Sequence, residues 1–155
     1  LASPSFWKEE LYKVLGNEAL KKKIIQATCS GVDETSIAEV LKRKETQEVL
    51  RLERVSREMS IVEELFRLIS KAGNAAYGMI ETKQAAESGA VNDLLVTDQL
   101  IQTLREENRF SEIDRIMKMV DRAKGKVWII STEHEGGKRL QGLGGIGAIL
   151  RYKLF

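Results

Sequence analysis

Lys126-Val-Trp-Ile-Ile-Ser131 is an apolar run with no interruption between its flanking lysine and serine. Such a run fits a central strand covered on both faces, as in the sheets of α/β proteins. Just before it, Ser111 and Asp114 have the spacing of a capping box for a helix that turns Ile113, Ile116, Met117 and Val120 inward and ends at Gly125. Further back, Asp93-Leu-Leu-Val-Thr97 reads as a second buried strand, Glu81 to Ser88 as a short helix closed by Gly89, and Ala75-Ala-Tyr-Gly78 as a short strand. After the run, a short helix around Lys138 to Gln141 leads to a last strand, Ile146 to Leu154. Strands and helices that alternate at these lengths predict a three-layer α/β/α sandwich with a small mixed sheet.

Upstream of this block the period changes. From Thr46 to about Lys71, Leu52, Val55, Met59, Val62, Phe66 and Ile69 step by three and four, which lines one face of a long helix. Glu53 with Arg57 and Glu63 with Arg67 sit at i, i+4 in the favourable order on its wet face. The apolar stripe reads as core packing, with a partner groove as the alternative. Before that helix, Ser5 is placed to cap a helix over Phe6 to Leu15, and Lys23-Ile-Ile-Gln-Ala-Thr-Cys29 reads as a strand. One helix and one strand bury little, so this piece needs a further surface to offset its ordering entropy. The chain also starts without methionine. The expectation is two parts: residues 1–48 as the remnant of a truncated α/β domain, and residues 49–155 as a domain of its own.

The 155 residues are 43% hydrophobic and 31% charged, a composition that folds. A net charge of +2 creates no global field for nucleic acid or anionic membrane. Cys29 is the single cysteine, which excludes an intrachain disulfide and predicts a buried small hydrophobe in an intracellular protein. No apolar stretch approaches the ~18 residues of a membrane span. A cytoplasmic protein without membrane contact is expected.

Gly142-Leu-Gly-Gly-Ile-Gly147 matches the G-x-G-x-x-G of dinucleotide-binding loops letter by letter. That motif needs a following helix and an acidic residue about 20 positions on, and the chain ends too soon for either. A β-branched, aromatic segment follows instead, so Gly144, Gly145 and Gly147 read as a backbone device at the entry to the last strand. His134 is the only histidine, so no second one completes a zinc site, and no nucleophile elbow precedes it for it to serve as a base. No cofactor and no enzyme are expected. The cluster Lys42-Arg43-Lys44 with Arg51, Arg54 and Arg57 offers phosphate contacts, but interleaved glutamates give it the pattern of a solvated helix face.

Two longer blocks carry a family resemblance. Tyr77-Gly78 followed by Gln84-Ala-Ala-Glu-Ser-Gly-Ala-Val-Asn-Asp-Leu-Leu-Val-Thr-Asp98 resembles a block shared by Pelota proteins and the class-1 release factors of archaea and eukaryotes. Gly144-Gly-Ile-Gly-Ala-Ile-Leu-Arg-Tyr152 resembles their common terminal strand. Ser131-x-x-His134-x-x-Gly137-x-x-Leu140, and the run from Asp98 to Ser111 without an inserted cysteine-bearing minidomain, are similar to the Pelota form, while Gly147 leans towards the release factors. The resemblance implies a fold like that of the kink-turn-binding ribosomal proteins, and residues 1–48 as the end of Pelota's central domain. It implies a non-catalytic docking domain in ribosome rescue and mRNA surveillance. Partners would be a GTPase of the elongation-factor-1-alpha class, an ABC-family ribosome-recycling ATPase and, through the whole protein, the ribosome. His134, Glu135, Lys138, Arg139, Arg151 and Tyr152 are the expected docking residues, the last two presented by the terminal strand. A termination factor and a kink-turn RNA-binding module are the alternatives.

Overall fold

A computed structural model describes residues 1–154. The final residue of the expected second domain, Phe155, lies outside the described residues. The chain divides into two compact units, Leu1–Arg54 and Val55 onward.

In the first unit, β1 (Ala2–Ser3) pairs in parallel with β2 (Ala27–Thr28), with helices α1 (Trp7–Val14) and α2 (Glu18–Lys21) between them in sequence and α3 (Glu34–Lys42) after. The strand expected over Lys23–Cys29 shrinks to two residues. Its start is still turning: the amides of Lys23 and Ile24 donate to Leu20 and Lys21 carbonyls at 2.9 and 3.2 Å. Ser5 does not cap α1; Phe6 holds the cap position with no side-chain bond, and Ser3 Oγ accepts the Lys8 N–H at 3.2 Å. Helix α3 announces itself by its cap rather than by apolar periodicity. Asp33 Oδ1 accepts the Ser36 N–H at 3.0 Å, and Ser36 Oγ answers the Asp33 N–H at 3.5 Å.

A long helix, α4 (Lys44–Ser70), begins in the first unit and ends in the second. The second unit continues with β3 (Ala75–Tyr77), α5 (Gly78–Glu87), β4 (Val91–Thr97), α6 (Asp98–Glu106), α7 (Phe110–Arg122), β5 (Lys126–Ile130), α8 (Glu135–Gly142) and β6 (Ile146–Leu150). The strands form one mixed sheet in the order β3-β6-β4-β5, with β4 and β5 parallel and the other pairs antiparallel.

The alternation of side chains along the strands separates two apolar clusters, one on each face. Leu94, Val96, Ile146, Ala148 and Leu150 join Ala85, Leu104, Ile113, Ile116 and Val120 from α5, α6 and α7. Leu95 and Ile130 join Val62 and Leu65 of α4 and Leu140 of α8. The result is the expected helix–sheet–helix layering, and burying side chains such as Leu65, Leu94, Leu95 and Ile113 contributes about 1.5–3 kcal/mol each.

Three local readings are corrected. Strand β5 is not central: it pairs with β4 alone and lies at the sheet's edge, with Ile129 44% exposed. It is apolar on both faces because both are covered, Val127 packing with one cluster and Trp128 with the other. That pattern records the layers above and below a strand, not its rank within the sheet. Helix α7 starts at Phe110 with Arg109 in the cap position, so Ser111 is already helical and Asp114 pairs with Lys118 at 2.6 Å. Strand β6 stops at Leu150, where both its neighbours run out, Ala75 opposite Ile149 and Val91 opposite Leu150. Arg151 and Tyr152 therefore lie beyond the terminal strand.

Among the described residues no helix is long and apolar enough to cross a membrane.

Candidate functional site

The connection from β5 to β6 is built by residues that satisfy one another. Leaving β5, Ser131 donates its N–H to Glu58 Oε2 of α4 at 2.8 Å. The same oxygen lies 2.8 Å from His134 Nε2, and the two side chains are only 5% and 10% exposed. His134 also caps α8, its Nδ1 accepting the Gly137 N–H at 3.2 Å. An imidazole that accepts at Nδ1 carries its proton at Nε2, so it donates to the carboxylate. At Gly137 a Cβ would lie 1.9 Å from the Ser131 carbonyl oxygen, which admits only glycine. Each member of Ser131-x-x-His134-x-x-Gly137 thus closes the same loop onto α4.

A second set fixes the loop from the other side. Asp98 Oδ1 accepts from the Thr132 hydroxyl at 2.8 Å, the Thr132 amide at 3.1 Å and the Gln99 amide at 2.8 Å. Partial burial pushes the Asp98 carboxyl up, but the bonds from Thr132 and Gln99 outweigh it and hold the group below its ordinary value. Thr97 caps α6 through the Leu100 amide at 3.2 Å and donates to Gln141 Oε1 at 2.5 Å. Beside it, Gly144 and Gly145 take φ of 97° and 75°, and a Cβ on Gly145 would meet Thr97 Oγ1 and Gln141 Oε1 at 2.8 Å. At Gly147 a Cβ would come within 2.7 Å of the Leu65 Cδ2 methyl, so a larger residue there requires the Leu65 side chain to shift.

The expected docking residues fall into two groups at opposite ends of the sheet. Glu135, Lys138 and Arg139 are exposed on α8, beside the inward-turned His134. The Arg139 guanidinium lies 4.4 Å from the centre of the Phe66 ring of α4. Arg151 and Tyr152 sit where β6 ends, exposed but tied back to the protein. Arg151 Nη2 donates to the Ala123 carbonyl at 2.7 Å and the Tyr152 hydroxyl to the Ser88 carbonyl at 3.2 Å. The basic cluster around Lys42 is a salt-bridged helix surface, with Arg43 on Glu39 at 2.9 Å and Arg51 on Glu48 at 3.0 Å.

Glu58, Thr97 and Gln141 escaped the sequence reading. Glu58 had a signal: it stands three residues after Val55 and four before Val62, a charge on the inward face of an amphipathic helix. Such a charge requires a buried partner.

The eRF1 domain 3 family model matches residues 55–154. Among curated proteins, the pelota homolog of Methanocella arvoryzae is 38% identical over 156 residues, covering 99% of this chain and 43% of that protein. A structural model of ribosome-bound archaeal Pelota and ABCE1 superposes with a TM-score of 0.71 at 36% identity, over 99% of this chain and 43% of that one. Dom34 of S. cerevisiae, described as a translation termination-like factor involved in RNA quality control pathways and interacting with Hbs1, gives 0.64 at 30% identity over 99% and 46% of the two chains. The chain spans less than half the length of these relatives. The blocks around Tyr77 to Asp98 and Gly144 to Tyr152 lie inside the matched segment, on β3 to β4 and on β6 with its exit. By that match the chain belongs to the eRF1 domain 3 family, in the form found in Pelota proteins.

Proposed function

We propose that this chain is a non-catalytic docking domain of a Pelota-type factor, acting in ribosome rescue and mRNA surveillance on cytoplasmic ribosomes. Residues 1–48 are the end of the preceding central domain. The partners are a GTPase of the elongation-factor-1-alpha class and an ABC-family recycling ATPase, in keeping with the Hbs1 and ABCE1 named for the relatives above.

The observation that carries this reading is the construction of α8. Its N-terminus is locked by Glu58, Ser131 and His134, so Glu135, Lys138 and Arg139 stand on a rigid base in solvent. A surface whose charges are oriented by buried bonds loses less entropy when a partner binds. His134 positions the helix, and its two ring nitrogens are engaged internally. Arg151 and Tyr152 form the second patch.

A pull-down with each partner tests the placement. Joint Lys138→Glu and Arg139→Glu substitution weakens capture of at least one partner by about tenfold, the effect of ~1.4 kcal/mol, while circular dichroism stays unchanged. Undiminished capture of both partners by a folded double variant rules α8 out.

A further inference from the structure

The outer edge of β5 pairs with no strand of this chain among the described residues. On its inner side, Lys126 to Ile130 pairs with β4. Exposed edges are normally blunted by brevity, proline or inward charges, because their free amides and carbonyls template a further strand. β5 has two such devices, its five-residue length and Lys126 at its start, but beyond Lys126 the edge is apolar. Ile129 is 44% exposed and borders a groove of about 580 Å³ lined also by Ile101, Arg105, Phe110 and Met117.

One end of this edge is strongly basic. Arg122, Lys124 and Lys126 fall within five consecutive positions, and Arg151 joins them through its bond to the Ala123 carbonyl at 2.7 Å. Among the described residues none of the four is ion-paired. Two acids lie near them, Asp121 directly before Arg122 and Asp93 opposite Lys126 in the β4–β5 ladder, so four cations against two carboxylates leave the patch net positive. Unneutralised cations beside an apolar, hydrogen-bonding edge fit an extended segment with carboxylates at one end and apolar side chains at alternate positions after them.

Nucleic acid fits less well. Base stacking needs an open aromatic face, yet Lys126 Nζ sits 3.7 Å from the centre of the Trp128 ring and the indole N–H is donated to Asp93 Oδ1 at 2.8 Å. A second copy of the chain fits less well too, since two five-residue edges bury far less than the ~1,000 Å² a stable interface needs.

We infer that the β5 edge, with the cations at its N-terminal end, docks an acidic, apolar, extended segment of a partner protein by adding it to the sheet as a fifth strand. The inference rests on the docking reading for the existence of a protein partner. It shares Arg151 with the second patch but concerns a different surface from α8, and its variants touch neither α8 nor Arg151, so the two tests fail independently.

The test uses the ¹⁵N-labelled chain and two nine-residue peptides, in which a pair of glutamates stands before or after alternating threonine and valine. At low salt one of the peptides shifts the amides of Lys126 to Ile130 and slows their hydrogen exchange. Joint Arg122→Glu and Lys124→Glu substitution weakens that peptide by about tenfold, equivalent to ~1.4 kcal/mol. Ile129→Lys abolishes binding, with amide shifts away from β5 unchanged as the folding control. The inference is overturned if neither peptide perturbs β5 at millimolar concentration, or if Ile129→Lys leaves affinity intact. It is also overturned if oligouridylate binds these cations more tightly than either peptide, or if the edge is occupied by a second copy, seen as Ile129-dependent dimerisation in sedimentation.

Discussion

Glu58 and His134, 76 positions apart in sequence, meet at 2.8 Å with both side chains almost out of solvent. The carboxylate is tolerated inside the fold because the Ser131 N–H also points at it, and the pair fastens the start of α8 to α4. Glu58→Ala leaves an amide and an imidazole N–H without their acceptor, at a cost of about 3 kcal/mol. Glu58→Gln keeps an acceptor oxygen for Ser131 and costs roughly half as much. Urea unfolding of the purified chain measures both, and ¹⁵N shifts of the His134 ring report the Nε2–H tautomer in the parent. Equal stability of the alanine variant and the parent would remove the clamp from the account of α8.

The glycines of Gly142 to Gly147 separate by sign. Gly142 closes α8 with open space where a Cβ would go, so Gly142→Ala raises stability by about 0.5–1 kcal/mol through helix propensity and a less flexible unfolded chain. Gly145 has a positive φ and three atoms within 2.9 Å of its missing Cβ, so Gly145→Ala lowers stability by at least ~2 kcal/mol. A phosphate-binding loop would instead show both substitutions through lost anion binding with little change in stability. Thermal unfolding with and without phosphate separates the two accounts.

Leu94, Leu95 and Val96 announced a buried strand because a strand between two helical layers is apolar at every position, and the structure makes it central. Val127 to Ile130 is just as apolar and yet lies at the edge, since neighbours along the sheet leave no mark on side-chain polarity. Helix α6 follows β4 without a turn, since Thr97 both ends the strand and caps the helix, so the helical spacing of Leu100, Ile101 and Leu104 has no boundary signal in front of it. Of the site, the glycines were legible through the backbone freedom they supply. Its bonds were not, because Glu58, Thr97 and Gln141 find partners that only the tertiary fold brings near.

Acid sensitivity in the first unit centres on Glu39. The Ser30 hydroxyl donates to its carboxylate at 2.6 Å and the Ser30 amide at 2.9 Å, with Arg43 on the other oxygen, and together they hold the carboxyl down to about 2. A pKa depressed on folding stabilises fully above the unfolded value, ~4.3 for glutamate, and the contribution is lost as pH falls through the folded one. The expected result is a loss of stability between about pH 4.5 and 2 that Glu39→Gln reduces. A carbon-detected titration in which Glu39 titrates at the ordinary glutamate value would sink this assignment.

Cys29 and Trp128 report separately on the two units. The first unit buries few side chains, Ala27 and Cys29 being its buried apolar residues, whereas the second holds both large apolar clusters. Phe6 and Trp7 stack at 5.2 Å but are 57% and 67% exposed, so they contribute little to a core. Unfolding free energy scales with apolar area removed from water, and the first unit therefore opens at lower denaturant. In a Trp7→Phe background the Trp128 emission follows the second unit alone, while the Cys29 thiol, 5% exposed and donating to the Gly31 carbonyl, follows the first. Thiol labelling is expected to accelerate at a urea concentration on the order of 1 M below the Trp128 transition. Coincident midpoints would mean that residues 1–54 unfold in one cooperative step with the domain that follows, and the two-unit description of stability would have to be given up.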